Sequence, residues 1–213
     1  MSAALDLALF YEDMTGPATM EPEKAQDTTD VDARLVAQAK TGDFAAFEQL
    51  VRTYRNDVYG LAYHFLRNRE EAWDISQEVF IKTHRSLARF RGDSSFKTWL
   101  MRITANQCKD YLKKRRLDAV PFNEEVETHD APTGVLGPDA SVEAHELGDA
   151  IKQALDALPF KHRTAFVLRE FDGLSYEEMA QVMECNIGTV MSRLHHARKK
   201  LQYSLKRMGF SRG

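Results

Sequence analysis

Two runs of side chains in this sequence have the types and spacing to hold a polyanion. Ser95, Thr98, Arg102, Asn106, Lys109 and Lys113 recur at helical intervals and share one polar face, opposite Phe96, Leu100 and Ile103. The row continues into Lys113-Lys114-Arg115-Arg116 and is preceded by a short polar loop, Arg91-Gly92-Asp93-Ser94-Ser95. Basic rows track phosphates, and polar loops beside aromatic residues can accept unstacked bases. The second run places Ser192, His195, His196 and Lys199 on one side of a helix, with Arg193 at the flank. Val190, Leu194, Ala197 and Leu201 lie on the other side, so a helix with this pattern buries one stripe and offers small, polar and basic groups to a major groove. Either run alone also reads as an ordinary solvated face. Catalytic chemistry is not supported: the chain has no glycine-rich phosphate loop, no His-Glu-x-x-His and no nucleophile beside a base. His195 and His196 point about 100° apart on a helix and lack a third ligand, so neither a metal nor a cofactor is expected.

The elements that position these rows are all helical, with no strand alternation and no internal repeat. Phe44, Phe47, Leu50, Val51, Tyr54, Val58, Leu61 and Phe65 form one amphipathic stripe. Gly42-Asp43 separates it from a shorter helix expected over 31–40, and a further helix is expected over 70–88 with Ala72, Ile75 and Val79 inward. Asp93 or Ser94 is a natural cap for a helix running to about 116. In the second half, helices are expected over 141–157, 160–170, 175–183 and 187–207. Ser175-Tyr-Glu-Glu178 has the form of a capping box, and Glu184-Cys185-Asn186 makes a tight turn before the last helix. The expected class is all-α: two small helical domains joined by a flexible acidic linker, the second a helix-turn-helix.

Composition bounds the rest. The chain has 213 residues and a formal charge of −3, which taken alone argues against a nucleic-acid binder. That charge is unevenly spread. Residues 1–30 carry net −6, residues 31–116 net +7, residues 117–149 net −9 and residues 150–213 net +5. The domain plan is therefore an acidic disordered tail over 1–30, a first domain over 31–116, a linker over 117–140 and a second domain over 141–213. Apolar runs are far too short to span a bilayer, and Cys108 and Cys185 lie far apart with no Cys-x-x-Cys, so a cytoplasmic protein without membrane insertion is expected.

Several motifs in series resemble the extracytoplasmic-function (ECF) sigma factors of the sigma-70 family. Gly42-Asp43-x-x-Ala46-Phe47, Asp74-Ile75-Ser76-Gln77-Glu78-Val79-Phe80 and Phe90-Arg91-Gly92-Asp93-Ser94-Ser95-Phe96-Lys97-Thr98-Trp99-Leu100 look like region 2 of that family. Leu158-Pro159, Leu174-Ser175-Tyr176-Glu177-Glu178 and Gly188-Thr189-Val190-x-Ser192-Arg193-Leu194-x-x-Ala197-Arg198 look like region 4. The resemblance implies an alternative sigma factor that binds core RNA polymerase and directs promoter-specific initiation, not an enzyme. It implies that Asp74, Gln77, Glu78 and Phe80 meet the polymerase clamp coiled coil, where carboxylates and an amide can meet an arginine-bearing helix. Trp73, Gln77 and Phe80 share a side that faces away from the core stripe.

The resemblance further implies that Arg91, Asp93, Ser94, Ser95, Trp99, Arg102, Asn106 and Lys109 open and hold the −10 element. Thr189, Ser192, Arg193, His195, His196, Arg198 and Lys199 would read the −35 element while the outer surface of region 4 binds the polymerase flap. An anti-sigma factor is a further implied partner. Met191, His195 and His196 depart from the family pattern, which places −35 specificity where relatives are the poorest guide. Two other classes stay open on the residues alone. One is a stand-alone DNA-binding regulator, which would have no use for the Asp-x-x-Gln-Glu helix or the melting loop. The other is a protein that sequesters a partner, which two basic faces disfavour.

Overall fold

Periodic apolar stripes leave the chain little choice but to pack helix on helix. The computed structural model describes residues 23–118 and 140–210, and every regular element among them is helical. In chain order these are α1 (Glu23–Lys40), α2 (Phe44–Leu66), α3 (Arg69–Ser86), a 3₁₀ turn at Leu87–Arg89, α4 (Phe96–Asp118), α5 (Ala140–Asp156), α6 (Phe160–Glu170), α7 (Tyr176–Val182) and α8 (Ile187–Arg207). No helix among the described residues is long and apolar enough to cross a membrane. The tail over 1–22 and most of the linker, 119–139, lie outside the described residues.

The caps are local and mostly where the residue types put them. Asp43 accepts from the Ala46 N–H at the start of α2, and Asn68 accepts from Glu70 and Glu71 at the start of α3. The start of α4 differs from expectation: Ser95, not Asp93 or Ser94, takes the N–H of Thr98 at 3.0 Å. Three small polar residues stand in a row there, and only the one whose Oγ reaches the third amide onward can cap. The first helix also begins at Glu23, ahead of the expected 31. Its early turns are too polar to show an apolar stripe, which is why composition alone reads them as tail.

Residues of α1 to α4 bury Leu50, Val58, Leu61, Ala72, Val79, Leu100 and Met101 completely or nearly so. Tyr54 donates its hydroxyl to the buried Asp32 of α1, and burial pushes the carboxyl up from its usual range against the opposing effect of that bond. Helices α5 to α8 enclose a second apolar group including Leu155, Leu168, Met179, Val190 and Leu194. The capping box at α7 is complete, with Glu178 N–H to Ser175 Oγ at 3.2 Å and Ser175 N–H to Glu178 Oε2 at 2.8 Å. Ser175→Ala removes one half of that box, with an expected loss of about 1 kcal/mol in a denaturant melt of the full chain.

The two groups of helices do not stand apart. Phe65 of α2 stacks on Phe160 of α6 with ring centroids 4.6 Å apart, and His64 lies 4.2 Å from the Phe171 ring. Arg67 pairs with Asp156 at 3.1 Å, while Arg163 donates to the Phe65 carbonyl at 3.4 Å and to Asp156 at 3.2 Å. On the other side of the seam α7 lies against α4. An acidic tether in the sequence suggests two independent units, yet their apolar edges close on one another and form one continuous core.

Candidate nucleic-acid and polymerase interfaces

The local chain path builds the first site. Phe90 leaves the 3₁₀ turn and packs its ring 4.9 Å from Trp99, while Phe96 sits 5.9 Å from the same indole. The chain then turns through Gly92, whose φ of +81° is a left-handed conformation that a side chain would strain. Arg91 and Asp93 are exposed on that turn, and Ser94 and Ser95 are half-buried. Behind the loop is a cavity of about 500 Å³ lined by Arg89, Phe90, Arg91, Asp93, Ser94, Thr98, Trp99, Arg102 and Gln181. Three arginines, small hydroxyls and the edge of an aromatic cluster suit a phosphate with an unstacked base. Arg102 and Asn106 are half-buried and Lys109 is exposed further along α4.

Thr98 of the expected polar face, and Trp99, which the resemblance assigns to the −10 element, behave differently. Thr98 is only 2% exposed and Trp99 only 9%. Thr98 donates to Glu178 Oε1 at 3.3 Å, and Gln181 of α7 forms one wall of the cavity. The second unit thus lands on this part of the α4 face, which a helical wheel of α4 by itself cannot anticipate. Trp99 belongs to the aromatic cluster with Phe90 and Phe96, so it shapes the cavity wall instead of projecting from it.

Helix α8 carries the second site. Asn186 accepts from the Thr189 N–H at 2.7 Å, which starts the helix directly after the turn. Glu184 takes a left-handed φ of +50° in that turn. Val190, Leu194, Ala197 and Leu201 are buried, and Met191, Ser192, His195, His196 and Lys199 are exposed. Thr189 and Arg193 are half-buried, and Arg193 points a guanidinium N–H at Cys185 Sγ, 3.4 Å away. His162 of α6 lies 6.0 Å from the His196 ring, and burial together with nearby Lys200, His196 and Arg193 lowers its pKa. Arg198 is engaged within the fold: its Nε and Nη2 donate to Glu170 Oε1 at 3.1 and 2.6 Å. A pair with both partners largely covered holds α6 to α8 and leaves that guanidinium little capacity for DNA.

The third surface is on α3. Asp74, Gln77 and Glu78 are exposed, as expected, but Phe80 is half-buried and rests against the core. Two apolar side chains complete the exposed face instead: Trp73 at 59% and Ile81 at 52% exposure. Residues 73, 74, 77, 78 and 81 fall within an arc of about 140° on a helix. Ile81 is not distinguishable in sequence from the inward Val79 without the register of the packed helix. Glu78 also accepts from Gln107 of α4 at 2.7 Å, which fixes one edge of the face. Lone exposed apolar residues are ordinary, but a tryptophan and an isoleucine flanking two carboxylates and an amide make a surface suited to a partner.

With that geometry in place, comparison with known proteins is specific. The sigma-70 region 2 family matches residues 50–117, and the sigma-70 region 4 family matches residues 148–201. The chain is 38% identical over 187 residues to RNA polymerase sigma-H factor of Pseudomonas aeruginosa, covering 84% of this chain and 96% of that one. It is 39% identical over 177 residues to the ECF RNA polymerase sigma-E factor of Escherichia coli, covering 80% and 92%. Among solved structures it is similar to CnrH in complex with the cytosolic domain of CnrY, with a TM-score of 0.64 at 27% identity over 84% of this chain and 99% of that one. It is also similar to the sigma factor RpoE in complex with the anti-sigma factor NepR from Bartonella quintana, with a TM-score of 0.59 at 29% identity over 75% and 96%.

Proposed function

Because the chain belongs to the ECF group of the sigma-70 family, an alternative sigma factor that binds core RNA polymerase and directs promoter-specific initiation, we propose how its surfaces divide that work. The observation that carries the division is the exposed α3 face, which a stand-alone DNA-binding regulator would not need. Trp73, Asp74, Gln77, Glu78 and Ile81 dock on the clamp coiled coil of the polymerase, with Phe80 supporting the face from beneath. The outer surface of the second unit binds the flap. The loop Arg91–Ser95 with Arg102, Asn106 and Lys109 holds the melted −10 element, and Trp99 shapes the pocket for a base. Thr189, Ser192, Arg193, His195, His196 and Lys199 read the −35 element, with Arg198 holding the reading helix in place through Glu170.

The corresponding domain plan is a tail over 1–30, region 2 over 31–116, a linker over 117–140 and region 4 over 141–213. Helix α1, which starts at Glu23, then extends region 2 into the tail. The protein acts in the cytoplasm, without catalysis of its own, and takes an anti-sigma factor as a further partner, as the similar sigma factor RpoE of Bartonella quintana does with NepR.

The test is reconstitution. RNA 5′ ends sequenced after overexpression give the promoter motif, and the purified chain with core polymerase is expected to start transcription there at moderate salt. Affinity for that promoter should fall steeply as salt rises, because phosphate contacts release counterions. Failure of the folded chain to co-purify with core polymerase overturns the reading.

A further inference from the structure

Six buried polar side-chain atoms among the described residues have no protein partner, and four of them lie on residues of the seam: His64 Nδ1, Arg67 Nη2, Arg163 Nε and Asp172 Oδ2. Native cores hold few such atoms, so their concentration at one boundary asks for an explanation. His64 comes from α2 and has its ring against Phe171. Asp172 follows Phe171 in the turn after α6 and faces Lys97 of α4 and Asp57 of α2, which pair with each other at 3.3 Å. Arg67, Asp156 and Arg163 form the ionic cluster on the same side. An apolar seam would hold the two units shut, whereas one carrying ionisable groups with unsatisfied buried atoms is only conditionally closed.

We propose that this seam is a proton-coupled latch in which His64 and Asp172 change protonation, with opposite signs, when the two helical units part. Burial, opposed by Lys97 and aided by Asp57, raises the Asp172 carboxyl from 3.8 to about 7. Burial, aided by Arg67, lowers the His64 imidazole from 6.5 to about 4. When the units part, both groups meet water and return towards their ordinary values. Asp172 therefore takes up a proton on closing, so its share of closure is complete near pH 3.8 and is lost as pH rises through 7. His64 releases a proton on closing, so its share is complete above pH 6.5 and is lost as pH falls through 4. Between about pH 4 and 6.5 the two slopes oppose each other and nearly cancel. The intact seam is thus buffered, and loss of either group exposes the other's pH dependence.

A thiol at position 98, covered by α7 when the units are closed, reads the parted fraction through its labelling rate. The full chain carries Thr98→Cys with Cys185→Ser, while the native Cys108 is fully buried and its thiol is pushed up to about 12. Rates are corrected for thiolate fraction, and far-UV circular dichroism confirms that each variant is folded. From pH 8 to pH 5 the closed-to-parted ratio should rise only about threefold with both groups present. With His64→Phe, which keeps the ring contact, it should rise by about eightyfold, and with Asp172→Asn it should fall by about thirtyfold. The double variant should be flat. Single-variant profiles that run parallel, or that stay within about threefold of each other across this range, overturn the latch. The rate reports only on the seam, so this result stands or falls apart from the assignment of polymerase and promoter contacts.

Discussion

Trp73→Ala is expected to weaken binding to core RNA polymerase by at least about thirtyfold, or about 2 kcal/mol, while leaving the melting of the free protein nearly unchanged. The two halves of this expectation follow from the same number. At 59% exposure the indole contributes little to the intramolecular core, and surface truncations of that kind change stability by about 0.5 kcal/mol or less. On a partner, however, an indole brings roughly 150–250 Å² of apolar area with few rotamers to freeze. It shares one exposed helix face with Asp74, Gln77 and Ile81, so a docked helix can seal it from water. Competition for core polymerase against a labelled sigma factor measures the loss, with promoter DNA binding by the free chain as the control. Trp73→Phe should recover part of the affinity. A change below threefold would remove Trp73 from the interface.

Leu100→Ala should lower the stability of the protein by about 3 kcal/mol, within the range of roughly 2–5 kcal/mol for a fully buried leucine. Leu100 is completely buried on α4, on the helix that carries Arg102, Asn106 and Lys109 on its other side. Its carbonyl also accepts from buried Thr104 at 2.9 Å, so the site has little freedom to collapse around a void. For a unit of this size, about 3 kcal/mol corresponds to a fall in melting temperature of roughly 10 °C or more. Thermal melts by circular dichroism give the value. Leu100→Met keeps the volume and should cost less than about 1.5 kcal/mol. A loss under 1 kcal/mol for the alanine variant would mean that the α4 stripe is not a packed core.

The helix-turn-helix was the most legible part of the chain because its signals are local. Ser175 with Glu178, Asn186 and the stripe from Val190 to Leu201 each act within one or two helical turns. What periodicity could not supply was any contact between distant segments. Burial of Thr98 depends on Glu178, 80 residues away, and engagement of Arg198 depends on Glu170, 28 residues away. Helical spacing places Thr98 on the DNA-facing side, and the family resemblance places Arg198 there. Phe80, expected on the outward face, rests against the core while Ile81 is exposed, for a similar reason: the edge of an apolar stripe is set by the neighbour that packs on it. The overall charge misled until it was divided along the chain, because acidic segments of −6 and −9 cancel the +7 and +5 of the helical blocks.

Glu178 closes the capping box of α7 with one oxygen and accepts from Thr98 of the other unit with the second. One carboxylate thus serves two masters, and a substitution there is pleiotropic by construction. A lineage that retuned the start of the helix-turn-helix through this position would at the same time loosen the hold of one unit on the other. Divergence in promoter choice should therefore run through the outward residues of α8, such as Met191, His195 and His196, where a change has one consequence instead of two.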